Sequence, residues 1–164
     1  MRSFVVIFTV FIVVLSVISL IWKPQEKLIW NRSASAPLGL YWVNNRPYAI
    51  GDWAIVSAKS DVSQWATSHE FTGMDWPLIK RVSGVSGDEI CRHEATILIN
   101  RESVTFAHEV DGKGRTLPNW TGCIELEEHQ VFLLNSHPDS LDGRYFGPTE
   151  IGDLVGTAHK VDLF

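Results

Sequence analysis

The segment that decides the fold lies at residues 77–82 and reads PLIKRV. Alternate side chains of a β-strand point to opposite faces of a sheet, so Lys80 would share one face with Leu78 and Val82. A lysine on an apolar face either extends its ammonium group to water or loses its charge through burial. The segment therefore predicts a half-buried strand that holds one lysine in an apolar environment.

Further segments along the chain have the same character. They are short, rich in β-branched or aromatic residues, and bounded by turn-forming residues. Residues 59–75 lack a clear periodicity, which predicts a loop or a short helix there. The predicted strands, besides 77–82, cover residues 40–43, 53–57, 95–99, 103–107, 128–134 and 154–161. The chain beyond its N-terminal region is therefore predicted to be mainly β.

Composition and charge exclude several classes of protein. The chain has 164 residues and is 45% hydrophobic, which suits one folded domain and an accessory segment. Its net charge is -5, and its Lys and Arg residues are scattered, so we do not expect nucleic acid as a direct partner. Neither the histidines nor the cysteines show the spacing of a metal site. No metal and no organic cofactor are predicted.

The N-terminal region is an uncharged, apolar run between Arg2 and Lys23. About 20 residues that rise 1.5 Å each match the roughly 30 Å hydrocarbon core of a bilayer. We therefore expect a transmembrane anchor at residues 1–22 and a juxtamembrane linker at residues 23–30. The alternative is a cleavable signal peptide, whose apolar region is shorter and is closely followed by a small-x-small site. Positive charges on both sides of the run leave its orientation open.

Two serines lie two residues apart just before Pro37 and Gly39, which favour a turn. In an extended chain Ser33 and Ser35 would point the same way, so that one could attack a carbonyl while the other stabilises the oxyanion. A nucleophilic serine needs a base, and the six histidines form no triad signature. Burial lowers the pKa of a lysine, so Lys80 is the candidate base.

Three separated segments carry a resemblance to a known family. Residues 31–41 read NRSASAPLGLY, residues 80–88 read KRVSGVSGD, and residues 140–148 read SLDGRYFGP. They are similar to the boxes N-x-S/T-x-S-x-P-x-G-x-Y, K-R-V-x-G-x-P-G-D and S-x-D-S-R-Y-F/W-G of the type I signal peptidase family (peptidase S26). The first box has one residue fewer between Ser and Pro than the S-M-x-P form of the housekeeping enzymes, which favours the conjugative-transfer branch (TraF type). Ser86 and Gly143 depart from the boxes, where Pro and Ser are usual.

The resemblance implies a serine endopeptidase that works through an acyl-enzyme. Ser35 would be the nucleophile and Lys80 its general base. The oxyanion would be held by the hydroxyl of Ser33 and the backbone N–H of Ser35. The matching residues of the third box would orient the lysine and brace the site, and they are Ser140, Asp142 and Arg144. Without the resemblance, the last two would be interpreted as a strand-edge ion pair, worth about 1 kcal/mol or less if exposed.

The resemblance also implies a fold, a location and a class of substrate. We expect a mainly β, signal-peptidase-like (S26/LexA-like) catalytic core at residues 31–164, with an inserted β subdomain at about residues 87–130. The catalytic domain would lie on the periplasmic side of the bacterial inner membrane, beside the lipid bilayer. Its substrates would be membrane-delivered precursors such as pilins, cut after small side chains. Water or a peptide amine could resolve the acyl-enzyme, so hydrolysis and cyclisation both remain open.

The two cysteines, Cys91 and Cys123, fall at the two ends of that insertion. A disulfide between them would clamp its base and would require an oxidising compartment. The two cysteines do not form a C-x-x-C motif, which would indicate a zinc site or a redox site.

Two other functions compete with this interpretation. A self-cleaving regulator of the LexA kind also uses a Ser-Lys pair, but it carries a DNA-binding head, and this chain has no basic helix-turn-helix. A non-catalytic, single-pass assembly component of a secretion or conjugation apparatus would use its β domain only to bind partners. It predicts that Ser35 and Lys80 can be replaced without consequence.

Overall fold

A computed structural model describes residues 2–21 and 27–161. Its helices are α1 (Arg2–Ile21), α2 (Asp61–Ser68) and α3 (Gly143–Phe146), and a 3-10 turn spans Ile151–Asp153. Its strands are β1 (Leu28–Asn31), β2 (Gly39–Asn44), β3 (Trp53–Val56), β4 (Leu78–Gly84), β5 (Glu89–His93), β6 (Thr96–Ile99), β7 (Glu102–Phe106), β8 (Gly122–Glu125), β9 (Gln130–Leu134), β10 (Thr149–Glu150) and β11 (Leu154–Lys160).

The prediction of a mainly β fold is confirmed. Among the described residues, none of the helices meets the length and hydrophobicity that crossing a membrane requires. The transmembrane segment predicted at residues 1–22 is therefore not supported. Part of the predicted linker, residues 23–26, lies outside the described residues. The rest of that linker is not a simple connection, because Leu28 begins β1.

The larger sheet has seven strands in the order β1-β2-β11-β3-β4-β9-β10. Its central strands fill two hydrophobic clusters, one on each face. Ile55 and Ile79 pack in the first cluster, while Leu78 and Val82 pack in the second. This division follows from the alternation of side chains along β4. Lys80 is therefore carried by an inner strand of the sheet, where water has little access.

The smaller sheet has four strands in the order β7-β6-β5-β8 and lies in sequence between β4 and β9. It corresponds to the predicted insertion. Cys91 and Cys123 are directly paired residues of β5 and β8, and a disulfide joins them. His93 lies close to both sulfur atoms, but sulfur atoms bonded to each other cannot act as thiolate ligands.

Several elements differ from what the sequence pattern predicts. Strands β1, β5 and β8 were not predicted, since each has only four or five residues and two of them contain charged side chains. Residues 59–75 contain α2, whose N-terminus is capped because Ser60 Oγ accepts a hydrogen bond from Ser63 N. The loop-or-helix alternative is therefore resolved as a helix of two turns.

Candidate active site

A cavity of about 490 Å³ is lined by residues of all three boxes. They are residues 31–35 of the first, Lys80 of the second, and Ser140 and Leu141 of the third. Its walls are β1, the loop that follows β1, the start of β4 and the loop before α3. Apolar side chains of β1 and of residues 71–78 make up much of the lining. The polar side chains that meet in it include those of Ser33, Ser35, Lys80 and Ser140.

The loop after β1, residues 31–37, is here called the nucleophile turn, and the side chain of Asn31 organises it. Its Nδ2 donates hydrogen bonds to the carbonyl oxygens of Ser33 at 3.0 Å, Ala36 at 3.0 Å and Pro37 at 3.1 Å. Its Oδ1 accepts one from the backbone N–H of Ser33 at 3.1 Å. Asn31 is buried, so these bonds face little competition from water.

The hydroxyls of Ser33 and Ser35 approach each other to 3.1 Å. The two hydroxyls are not brought together by the alternation of an extended chain, because the carbonyls of the segment bend towards the Asn31 amide and Ser35 lies in a turn. Ser33 Oγ also donates to Asn31 Oδ1 at 3.2 Å, so the proton between the two serines comes from Ser35. Ser33 is exposed and Ser35 is half-buried, which leaves both within reach of a peptide in the cavity.

Lys80 is only 5% exposed, and its Nζ donates a hydrogen bond to Ser140 Oγ at 3.0 Å. Burial lowers the pKa of Lys80 from 10.5 to about 8; the charge of Asp142 opposes this shift and that of Arg144 adds to it. About half of the molecules would then carry a neutral Lys80 at pH 8, and about a tenth at pH 7. A neutral amine in a cavity with a serine can accept a proton.

Asp142 and Arg144 form a buried ion pair behind the lysine. Arg144 Nε donates to Asp142 Oδ1 at 2.8 Å, and the two side chains are 1% and 0% exposed. The interpretation as a strand-edge pair is wrong, because Asp142 is the N-cap of α3 and Arg144 lies in that helix. Two further bonds from Arg144 reach the backbone carbonyls of Pro138 and Asn135.

Gly143 departs from the family box, and the structure gives the reason. A Cβ atom at this position would lie 2.7 Å from the ring of Phe132 and 2.8 Å from the carbonyl oxygen of Leu133. The tight approach of α3 to β9 therefore leaves no room for a serine here.

Asn135 was missed by sequence reasoning. It directly follows β9, is 4% exposed, and its side chain donates to the Ile79 carbonyl and accepts from the Arg81 N–H. The only signal in the sequence is a polar residue at the end of an apolar strand, which is also how many ordinary turns begin.

The rim of the cavity carries side chains that sequence reasoning did not single out. The Arg32 guanidinium lies 4.4 Å from the centre of the Trp76 ring, a cation–π contact between the nucleophile turn and the segment before β4. His137 and Asp139 lie on the other side, next to Ser140. The cavity mouth therefore combines an aromatic surface with charges of both signs.

The structure thus brings four of the predicted site residues to one cavity, with Asp142 and Arg144 behind it. Within the described residues, no hydrogen bond joins Ser35 to Lys80, so transfer of a proton between them requires the Ser35 hydroxyl to turn away from Ser33. The disulfide between Cys91 and Cys123 lies in the smaller sheet and does not line the cavity.

The sequence matches the family described as "Signal peptidase, peptidase S26" over residues 1–161. A conjugal transfer protein TraF of Agrobacterium tumefaciens (strain 15955) is 33% identical over 147 residues, which cover 82% of this chain and 81% of that protein. A plasmid transfer protein TraF of Escherichia coli is 29% identical over 142 residues, 80% of each chain.

Among solved structures, a signal peptidase I from Enterococcus faecalis V583 aligns with 70% of this chain and 98% of its own length. Its identity is 16% and the TM-score is 0.39, so this likeness adds nothing about function. The match to the family and the transfer proteins confirms the resemblance that the three boxes indicated. The chain belongs to the signal peptidase family, peptidase S26.

Proposed function

We propose that this chain is a serine endopeptidase in which Ser35 is the nucleophile and Lys80 the general base. The observation that carries the proposal is the burial of Lys80, with its pKa lowered to about 8, in the wall of the cavity that also holds Ser35. A lysine with an ordinary pKa would be almost fully charged at neutral pH and could not accept the serine proton.

The reaction begins when the Ser35 hydroxyl turns from Ser33 towards Lys80 and attacks the carbonyl carbon of the scissile peptide bond. Neutral Lys80 accepts the hydroxyl proton, while Ser140 keeps its Nζ in place through the 3.0 Å hydrogen bond. The oxyanion accepts hydrogen bonds from the Ser35 backbone N–H and from the Ser33 hydroxyl, which turns away from Asn31 Oδ1 to donate its bond. Each donor of this kind contributes roughly 2.7 to 4 kcal/mol to the stabilisation of the transition state.

Collapse of the tetrahedral intermediate expels the amine, which takes the proton from Lys80, and leaves an acyl-enzyme on Ser35. A second acceptor then attacks the ester carbonyl. With water as acceptor the product is a free acid, and with a peptide amine the product is a new amide. Lys80 accepts the proton of either acceptor, so the same residues serve both outcomes.

The family and the relatives named as transfer proteins support a proposal for the substrate class. We propose that the chain removes leader segments from exported precursors and that pilin subunits of a conjugative transfer system are among them. The small residue Ala34 lines the cavity beside Ser35, which is compatible with a preference for small side chains before the cut. Location on the periplasmic side of the inner membrane stays a prediction.

The experiment is cleavage of a co-expressed candidate pilin precursor by the full chain, read by intact mass. We expect Ser35→Ala and Lys80→Met to abolish a cut that the parent chain makes after a small residue. The matched controls are Ser136→Ala and Lys59→Ala, which remove an exposed serine and an exposed lysine and should cut normally. Cleavage that persists in both site variants would refute the dyad and favour a non-catalytic assembly role. The product mass distinguishes hydrolysis from amide formation.

A further inference from the structure

We propose that Asn135 is a positioning residue that fixes the backbone of Lys80 and thereby the reach of its side chain. The inference rests on the proposed role of Lys80 as the general base. Asn135 itself does not line the cavity and would not touch a substrate.

The first observation is that Asn135 binds the chain on both sides of Lys80. Its Nδ2 donates to the carbonyl of Ile79 at 3.0 Å, and its Oδ1 accepts from the N–H of Arg81 at 3.0 Å. These two groups belong to the two peptide units that flank the lysine. A shift or twist of Lys80 along β4 would therefore break at least one of these bonds.

The second observation is where these bonds occur in the sheet. The pairing of β4 with β9 reaches Arg81 opposite Leu134, and β9 ends there. Asn135 is the next residue, so its side-chain amide supplies a donor and an acceptor where the backbone pairing stops. Without Asn135, the backbone of β4 at Lys80 would have no hydrogen-bond partner on the side that faces β9.

The third observation is that Asn135 is held by the buried ion pair. Its backbone N–H donates to Asp142 Oδ2 at 3.0 Å, and its carbonyl accepts from Arg144 Nη2 at 2.8 Å. All three residues are at most 4% exposed. The ion pair therefore acts on Lys80 by two routes, through its charges and through the backbone contacts of Asn135.

A lysine side chain has four rotatable bonds, so the position of Nζ depends on a fixed backbone as well as on the hydrogen bond to Ser140. General base catalysis needs the two heavy atoms within about 3.2 Å of each other in the reactive state. Loss of the Asn135 contacts would leave the cavity lining intact and misplace Nζ. The expected signature is a fall in kcat with little change in KM.

The test uses the full chain and a synthetic peptide with Ala-x-Ala before the cut. We expect Asn135→Ala to lower kcat by about 10- to 100-fold with KM within twofold of the parent value, as for a displaced general base. The rising limb of the pH–rate profile should also move to higher pH by about half a unit or more, because water that reaches a loosened Lys80 stabilises its charged form.

Asn135→Asp keeps the shape and the acceptor but loses the donor to Ile79. The added negative charge raises the pKa of Lys80 and so moves the pH–rate profile to higher pH. The informative quantity is therefore kcat on the alkaline plateau, where Lys80 is neutral. A plateau that remains reduced about tenfold reports displacement of the amine, not charge. This variant carries the test if Asn135→Ala does not fold.

The control is Asn100→Ala in the exposed turn between β6 and β7, away from the cavity. Asn100 also supplies an amide acceptor to a backbone N–H, that of Glu89, and its Nδ2 donates to Asp88. It should lower stability without changing kcat or the profile. The inference is overturned if the Asn135 variants keep a parental plateau, or if Asn100→Ala lowers kcat equally. Loss of cleavage in Ser35→Ala and Lys80→Met alongside such a result would leave the proposed function intact.

Discussion

The two sides of the site are built in opposite ways. On the serine side, the nucleophile turn is held by hydrogen bonds of Asn31 to residues two to six positions later, and Ser33 and Arg32 are exposed. On the lysine side, Lys80 is buried and bonds to a residue 60 positions away. The serine side is held by contacts that are local in sequence and has exposed side chains. The position of Lys80 on the lysine side depends on packing between distant parts of the chain.

This difference matches what each group must do. A nucleophile has to meet a peptide bond that arrives from outside, so its turn must be accessible. A lysine base has to lose its proton near neutral pH, so its pKa must be lowered. Where no excess of positive charge lies nearby, burial away from water is what lowers it. We therefore expect substitutions on the lysine side to change stability and activity together, and those on the serine side to change activity far more than stability.

The largest effect is expected for Arg144→Met. It leaves the Asp142 carboxylate buried without its partner, a change that costs about 3 to 5 kcal/mol in comparable sites. The free energy of unfolding, measured by urea denaturation, should fall by that amount, and cleavage should be lost. Ser35→Ala should change the same quantity by no more than about 0.5 kcal/mol. A fall below about 1 kcal/mol for Arg144→Met would contradict the difference between the two sides.

Ser33→Ala tests the oxyanion role on the serine side. We expect kcat to fall by about 10²- to 10³-fold, the usual cost of one oxyanion donor, while KM changes little. Because Ser33 is exposed, the unfolding free energy should stay within about 0.5 kcal/mol of the parent value. Single-turnover cleavage of the peptide substrate gives the rate, with Ser136→Ala as the control. A fall of less than about threefold would remove Ser33 from the mechanism.

Lys80→Met should abolish cleavage and yet stabilise the fold at neutral pH. Between the folded pKa of about 8 and the unfolded value of 10.5, the unfolded state binds more protons, so stability of the parent chain rises as pH increases through this window. Below pH 8 the full penalty of burying the charge is present, about 3 kcal/mol. After subtraction of the lost bond to Ser140, we expect a gain of about 2 kcal/mol at pH 7.

The measurement is urea denaturation of both proteins from pH 7 to pH 10.5. The gain should shrink across this range until the parent chain equals or exceeds the variant. The cleavage rate of the parent chain should rise about tenfold per pH unit below pH 8 and level off above it. A gain that does not depend on pH would show that Lys80 is not desolvated.

The sequence predicted the strand of Lys80 and its face well, because alternation in a strand is a local property. Through the three boxes it also indicated four residues that the structure brings to one cavity. It could not predict Asn135, since a buried amide that binds a neighbouring strand is defined by contacts 56 residues apart. Without the boxes it indicated only a strand-edge ion pair for Asp142 and Arg144, because the burial of an ion pair depends on how the loop folds.

The smallest effect on activity is expected for Asn31, which shapes the nucleophile turn. Asn31→Ala removes the amide that gathers the carbonyls of Ser33, Ala36 and Pro37, at a cost of about 1 to 2 kcal/mol, because two of the three bonds are only partly buried. Activity should fall by about 10-fold or more, since the turn then presents Ser35 in several orientations. Thermal or urea denaturation and single-turnover cleavage give the two quantities.

Asn31→Asp separates the contribution of the side-chain amide N–H donors of Asn31 from that of its oxygen acceptor. It keeps an oxygen for the Ser33 N–H and hydroxyl but directs a carboxylate at three carbonyl oxygens. If the donors shape the turn, this variant loses at least as much activity as Asn31→Ala at pH 7. Its rate relative to the parent chain at the same pH then partly recovers as the acid is protonated at lower pH. If instead it cleaves like the parent chain, the turn is held by Tyr41, whose hydroxyl donates to the Pro37 carbonyl at 2.8 Å. The serine side would then depend on the sheet as the lysine side does, and the proposed difference between them would be lost.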